Sequence, residues 1–581
     1  MTRRVAVLTA AALSALFAGA ALVLRAQPAP ADLVVLGGRI LTLDPSSRIA
    51  EAVAVRGGVI VAVGDDAAVR PLVGAQTRVI EARGRTVVPG LIDSHVHTLM
   101  AAPVEAVTRF STLSSVDEIQ AWVRQQAART PAPAWVWTTR VFPTRVREGR
   151  FPTREELDAA APGRAVVVDG GYAFVLSSAA LAAAGITAQT PDPQGAAIVR
   201  GAGGVPTGLL RNAAGMLARF RPAAAPAVPL EQIEAIHRSY LATGITSIVE
   251  RGGSVEGYRT YESLKAAGRL RVRTTMTLQL PTGLAAADAA RLIDAIPLKP
   301  REGDDRLRVG PLKIAVDGGI LLGTSYMREP FGPASRALYG DQGDAYRGFL
   351  TTTPEAIRAV MVEGQQRGWQ MTAHVTGDAG VDVVLDAFEA AQQAHPREDA
   401  RQTLIHAYFP TPDVARRAAA LGVYVDTQPA WFYKDADTLL RALGPARLQH
   451  FIGLRTWRDA GAHVVINTDH RFGIDRDTAM NPFNPFLTIA TATGRRTERG
   501  QVIGPDEAVT REQALRMMTI EAAALTFDEK TRGSLEVGKA GDLAVLSDDV
   551  LAAPEARLRR ITSEVTVVGG VVAHERAQGA K

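Results

Sequence analysis

His95-Val96-His97 closes an apolar run, Val88-Pro89-Gly90-Leu91-Ile92-Asp93-Ser94, that reads as a buried parallel strand. Side chains along a strand alternate faces, so residues two apart share one. Two imidazoles on one face at a strand's C-terminal end can grip a borderline cation such as Zn²⁺. The bare pair also fits two exposed histidines, so the rest of the chain must decide. Lys313, His374, His406 and Asp469 each stand in or at the end of another apolar run. The chain has 10 histidines, and four of them lie at such ends, where scattered surface histidines would not collect. Burial and nearby cations lower a lysine's pKa, and the neutral amine of Lys313 can then add carbon dioxide. The resulting carbamate would bridge two metal ions; an ion pair with a neighbouring carboxylate is the alternative. Asp469 would ligate one ion, take a proton from the activated water and deliver it to a leaving amine. A plain cap is its alternative. His470, next along, is a candidate to orient the substrate, and Trp431-Phe432-Tyr433 a candidate apolar wall. His237 and His395 fit exposed helix or loop positions and receive no role.

Elements must bring these residues together. Apolar strand candidates fall at 87–95, 246–250, 272–280, 312–317, 371–374, 403–406, 423–426 and 464–469, most of them separated by helical patterns such as 356–367 and 381–393. Eight such strands predict an α/β fold, a (β/α)₈ TIM-like barrel over 87–532, with its chemistry at the strand C-termini. Strand-like 135–138 and 165–168, with the Ala-rich helix 177–184, would overfill that barrel and are expected in an insertion at about 105–220. Short strands at 33–36, 39–42, 52–55 and 59–63 are broken by Gly37-Gly38, Gly57-Gly58 and Gly64-Asp65, read as hairpin turns. A matching set follows near the far end, with Gly569-Gly570 as its turn. Neither piece has enough strands to bury a core alone. Residues 32–86 and 533–578 are therefore expected to form one composite β-sandwich.

Composition narrows the classes. The 581 residues are 47% hydrophobic and 22% charged, as in a globular protein. The net charge of +5 is spread out, with no dense basic block interleaved with aromatics, so nucleic-acid binding gains no support. There are no cysteines, which removes disulfides, thiolate metal sites and Cys nucleophiles. Residues 1–31 read as a signal peptide: Thr2-Arg3-Arg4, an apolar stretch over 5–24, then a small-residue and proline stretch with cleavage near Ala26. Export to the periplasm or outside is expected, without stable membrane insertion once the segment is removed. An uncleaved inner-membrane anchor is the alternative, because the apolar run is long enough to span. A homo-oligomer is left open.

In this order, these residues resemble the metal-dependent amidohydrolase superfamily, specifically its YtcJ-like (amidohydrolase 3) branch. The resemblance runs from about Asp32 to His574. It rests on Pro89-Gly90-Leu91-Ile92-Asp93-Ser94-His95-Val96-His97, Gly203-Gly204-Val205-Pro206-Thr207-Gly208, Gly244-Ile245-Thr246-Ser247, Lys313 with Asp317-Gly318, and His374 with Gly377-Asp378-Ala379. The C-terminal stretch Gly533-Ser534-Leu535-Glu536-Val537-Gly538 also matches the superfamily's return into its β-sandwich. The resemblance implies a small-molecule substrate, an N-substituted amide, formamide or N-acyl compound, cleaved at its C–N bond by a water activated by two divalent ions, Zn²⁺ by expectation. It also implies a substrate pocket built partly by the insertion. Where the branch tends to show Gly-His and Asn-Ser, this chain has Gly171-Tyr172 and Ser177-Ser178, and where a Glu commonly follows Pro-Thr-Gly it has Asn212. Tyr172, Asn212, Trp431 and His470 are therefore the candidate substrate contacts, and they differ from the pattern enough to leave the substrate open. A lactone, carbamate or cyclic imide offers the same kind of carbonyl. A deaminase would need a Glu three residues after a strand-end His, where Gly377 and Phe409 stand instead. A non-catalytic exported binding protein would have lost ligands, and none is missing.

Overall fold

A computed structural model describes residues 29–577, apart from 108, 109, 111, 223–228 and 342. The expected signal segment lies outside the described residues except for 29–31. No described helix is long and apolar enough to cross a membrane.

Eight parallel strands form the central sheet: β1 (Leu91–Val96), β2 (Ile245–Gly253), β3 (Arg273–Gln279), β4 (Leu307–Ala315), β5 (Met371–Val375), β6 (Thr403–His406), β7 (Tyr424–Thr427) and β8 (His463–Ile466). Each pairs with the next in chain order. β1, β5, β6 and β7 are buried at every position, because helices cover their outer faces and inward side chains fill the barrel. The ring closes beyond the end of β8, where Val96 bridges His470 and the His97 amide donates to the His470 carbonyl at 2.8 Å. Helices Pro354–Gln366 and Asp378–Ala394 match the expected patterns to within three residues at each end. Helix Leu230–Leu241 corrects one expectation, since its His237 is buried rather than exposed. It stands four residues after Ile233 and so falls on the same inward stripe, against the rings of Tyr240 and Tyr261.

Between β1 and β2 the chain builds a five-stranded sheet in the order Ala197–Arg200, Pro206–Arg211, Ala173–Leu176, Val166–Asp169, Val136–Arg140. Helices Val116–Arg129 and Arg154–Ala160 cover one face, and Ser178–Ala184 packs on the other. The last begins where the sequence indicates, because the Ser177 hydroxyl accepts from the Ala180 amide as an N-cap.

A four-stranded sheet (Val59–Gly64, Ala52–Arg56, Leu33–Leu36, Arg78–Glu81) faces a six-stranded one that mixes both chain ends. In the second sheet, C-terminal strands Val571–Glu575, Ser563–Val568 and Leu543–Leu546 continue into Thr86–Pro89, Arg39–Leu41 and Ile49–Ala50. Leu33, Val53 and Val55 from one sheet pack on Ile40, Val545 and Val567 from the other. Three local expectations change. Residues 87–89, expected in the first barrel strand, pair with Leu543–Leu546 in the sandwich. Gly90 then turns the chain into β1, at a point where a Cβ would lie 2.2 Å from the Thr246 hydroxyl of β2. Gly37-Gly38 is no hairpin: Leu33–Leu36 and Arg39–Leu41 lie in different sheets, so the glycines pass the chain between layers. Gly64-Asp65 leads into a helix, with Asp65 capping Asp66–Val69. Gly57-Gly58 and Gly569-Gly570 do turn tight hairpins, with both residues of each at positive φ.

Candidate metal centre

β1 and the residue after it present His95 and His97, whose Nε2 atoms approach to 3.1 Å. From beyond β8, Asp469 Oδ1 stands 3.5 Å from His95 Nε2 and 3.2 Å from His97 Nε2. One ligand atom from each of the three lies within 4.8 Å of the other two, and all three residues are buried. A second pair comes from β5 and β6, with His374 Nδ1 2.9 Å from His406 Nε2. The His95 and His406 ring centres are 5.6 Å apart, which joins the two pairs. Lys313 of β4 lines the same cavity as His97, His374, His406 and Asp469, about 290 Å³ in volume.

Outer contacts fix which nitrogens face inward. His406 Nδ1 lies 2.6 Å from Gln428 Oε1 and His374 Nε2 lies 2.9 Å from the Gly318 carbonyl. Each of those nitrogens donates to its oxygen, so the opposite nitrogens keep their lone pairs. Two lone pairs facing each other at 2.9 Å repel, and a cation between them converts repulsion into ligation. The residues therefore fit a metal, and the imidazole, carboxylate and amine donors suit Zn²⁺ or a similar ion.

Electrostatics keep the donors in ligating form. Burial pushes His97 and His406 down to about 3 and holds His95 and His374 well below the imidazole range, so all four rings are neutral. Burial, reinforced by the Arg251 charge, lowers the Lys313 amine to about 7. Burial alone would raise Asp469, but Arg471, His95 and His97 outweigh it and keep the carboxylate well below its usual range. Beneath the site, Arg251 Nη2 donates to Asp426 at 2.9 Å, and Asp426 also accepts from Ser94 and Asn467 at 2.6 Å each. This fully bonded ion pair ties β2 to β7 under the donors. Asp469 and His406 both hold positive φ, 49° and 79°. Such strain persists where surroundings enforce it: Asn481 Nδ2 donates to the Asp469 carbonyl at 2.8 Å, and Thr427 Oγ1 to that of His406 at 2.8 Å.

The other expected contacts divide. Tyr172 lines the cavity, with its ring centre 5.3 Å from that of His374. Trp431 also lines it, and its indole donates to Asp469 Oδ2 at 2.9 Å. Phe432 and Tyr433 do not share that wall. Successive residues on helix Pro429–Leu443 point about 100° apart, and these two face Arg495 and Arg559 instead. Asn212 stands behind Tyr172, its backbone N–H donating to the Tyr172 carbonyl at 2.7 Å, and does not line the cavity. His470 is turned away, its Nδ1 2.7 Å from the Tyr240 hydroxyl and its Nε2 2.6 Å from the Gly473 carbonyl. Both ring nitrogens are engaged, so it buttresses the seam between β1 and β8. Sequence reasoning missed Gln428, Arg140 and Arg471. Only Arg471, two residues past Asp469, carried a signal in its spacing.

A (β/α)₈ barrel whose strand ends gather imidazoles, a lysine and a carboxylate around one cavity defines a metal-dependent hydrolase. The chain belongs to the amidohydrolase family, whose family model matches residues 78–574. It is 30% identical over 561 residues to the N-substituted formamide deformylase of Arthrobacter pascens, covering 94% of this chain and 98% of the relative. To YtcJ of Bacillus subtilis (strain 168) it is 25% identical over 558 residues, 93% of this chain and 99% of the relative. Among solved structures, an uncharacterized metal-dependent hydrolase from Pyrococcus horikoshii OT3 superposes with a TM-score of 0.63 at 18% identity, covering 90% of this chain and 99% of the other. The chain is a hydrolase acting on C–N bonds of small molecules.

Proposed function

We propose that this enzyme cleaves the C–N bond of an N-substituted amide, formamide or N-acyl compound at a centre of two divalent ions, Zn²⁺ by donor chemistry. His95, His97, His374, His406 and Asp469 hold the ions, together with a carbamate on Lys313. The observation that carries this reading is the convergence of those donors, from both ends of the barrel sequence, on one cavity. The name of the Arthrobacter pascens relative supports the formamide member of the substrate class. When bound, the ions supply Lewis acidity toward the scissile carbonyl and acidify water. Asp469, held ionised, accepts the water's proton at Oδ1 or Oδ2 and returns it to the departing nitrogen. The Trp431 indole fixes the carboxylate's orientation through the transfer. A Lys313 amine near 7 is substantially neutral at physiological pH. Its lone pair adds to carbon dioxide, and the ammonium proton is then released to leave an anionic carbamate. We also propose export to the periplasm through residues 1–31, which rests on the sequence of that segment alone.

The test is metal analysis of wild type and Lys313→Ala, with hydrolysis screened over N-formyl, N-acyl, cyclic imide and lactone compounds. Wild type should hold close to two ions per chain and favour the amides. Lys313→Ala should lose an ion and most of its turnover, with partial rescue by acetate or propionate. One ion per chain with unmodified Lys313 overturns the two-metal reading, and cleavage confined to lactones overturns the amide one.

A further inference from the structure

Two guanidinium groups line the cavity that holds the donor set, Arg140 at the end of insertion strand Val136–Arg140 and Arg471 two residues past Asp469. Their side chains are only 17% and 15% exposed. Buried guanidinium groups need countercharge, and here the carboxylate beside each one is shared with other groups. Arg140 donates to Asp169, but that carboxylate also accepts from the Trp137 indole at 2.9 Å and the Gly171 amide at 2.7 Å. A second guanidinium, Arg221, stands 3.7 Å from its other oxygen. Arg471 Nε lies 3.2 Å from Asp469 Oδ1, the oxygen that also faces His95 and His97. Asp169 thus divides between Arg140 and the more exposed Arg221, and the carboxylate that Arg471 meets, Asp469, is itself a member of the donor set. Beside this cationic cluster the cavity wall is apolar, formed by Phe142, Ile320, Leu321 and Leu322.

We propose that the substrates of this enzyme carry a carboxylate, bound by Arg140 and Arg471, next to an apolar group seated on that wall. The proposal rests on the C–N hydrolase reading and deepens it: the preferred compounds are N-formyl or N-acyl amino acids rather than the corresponding neutral amides. Guanidinium and carboxylate match in fork geometry, and charge-assisted bonds inside a cavity are stronger than neutral ones. Two positions from different parts of the fold, the insertion and the barrel, supply the pair.

The test uses matched, non-cleavable pairs in which methanesulfonyl replaces the acyl group. N-methanesulfonyl phenylalanine and leucine are each compared with the neutral N-methanesulfonyl derivative that lacks only the carboxylate, by calorimetry on zinc-loaded wild type, Arg140→Met and Arg471→Met. Wild type should bind the acid at least about tenfold more tightly, and the preference should fall toward parity in each variant. Equal or weaker binding of the acids, binding of neither compound, or a preference that survives both substitutions overturns the proposal. An Arg471 that merely positions Asp469 would leave the ratio unchanged. Hydrolysis of the N-formyl counterparts is measured separately. If no amide is turned over, the C–N reading fails while the binding ratio still decides the carboxylate.

Discussion

Asp469 divides its two oxygens between tasks. Oδ1 faces His95, His97 and Arg471, while Oδ2 accepts from the Trp431 indole. A near-isosteric Asp469→Asn keeps the shape but removes the proton carrier, so turnover should fall by about 10²- to 10⁴-fold. Amides with more basic leaving amines should suffer most, because they depend most on protonation. Rates across a graded amine series, with metal content measured alongside, check this. Near wild-type rates with full metal content would make Asp469 a structural cap. His237 bears on stability instead. Burial lowers it to about 3, so the native state refuses a proton that the unfolded chain accepts near 6.5. Its contribution is therefore present above 6.5 and lost as pH falls toward 3. His237→Phe removes that term, and its loss of stability between pH 7 and pH 5 should be smaller than wild type's by about 2 kcal/mol. Urea melts at pH 7, 6 and 5 report the difference.

At the scale of elements, the strand ends were the legible part. A hydrophobic run that stops on His announces both a strand and the face of its last residue, as at His374 and His406. Asp469 lies three residues past the end of β8 at positive φ, where its place at the end of the run and not strand alternation marked it. Lys313 was legible for the same reason, as the one charge inside its run, in register with Gln279 of β3 and Thr372 of β5. What stayed hidden depends on partners far along the chain. Nothing local to Arg140 says that an insertion strand will end at a barrel's mouth. A Gly-Gly pair signals a sharp change of direction without saying whether the next strand returns beside its predecessor, which is why Gly37-Gly38 misled and Gly569-Gly570 did not. The latter allows a direct check. Gly570 sits at φ 75°, and an added Cβ would meet a Val55 methyl at 2.8 Å. Gly570→Ala should cost about 1–3 kcal/mol, from left-handed strain and crowding. Chemical denaturation measures that cost, and metal stoichiometry should not change.

For the molecule as a whole, the donors straddle the join of the barrel. β1 supplies His95 and leads into His97, β8 leads to Asp469, and the closing contact is a bridge from Val96 to His470. An ion shared by these residues staples that join. Chelation should therefore raise amide exchange most at residues 91–97 and 463–470, with little change in the insertion sheet. Uniform exchange with and without metal would contradict this. The interleaved sandwich has a different consequence, felt while the protein is being made. Thr86–Pro89 takes Leu543–Leu546 as a sheet neighbour, and that partner leaves the ribosome about 450 residues later. At synthesis rates of about 5–20 residues per second, the nascent strand waits with one edge bare for about half a minute to a minute and a half. An apolar, fully buried strand with an open edge invites pairing with other chains. A chain that terminates before Leu543 never leaves that state and should accumulate as insoluble protein, however well its metal ligands are preserved.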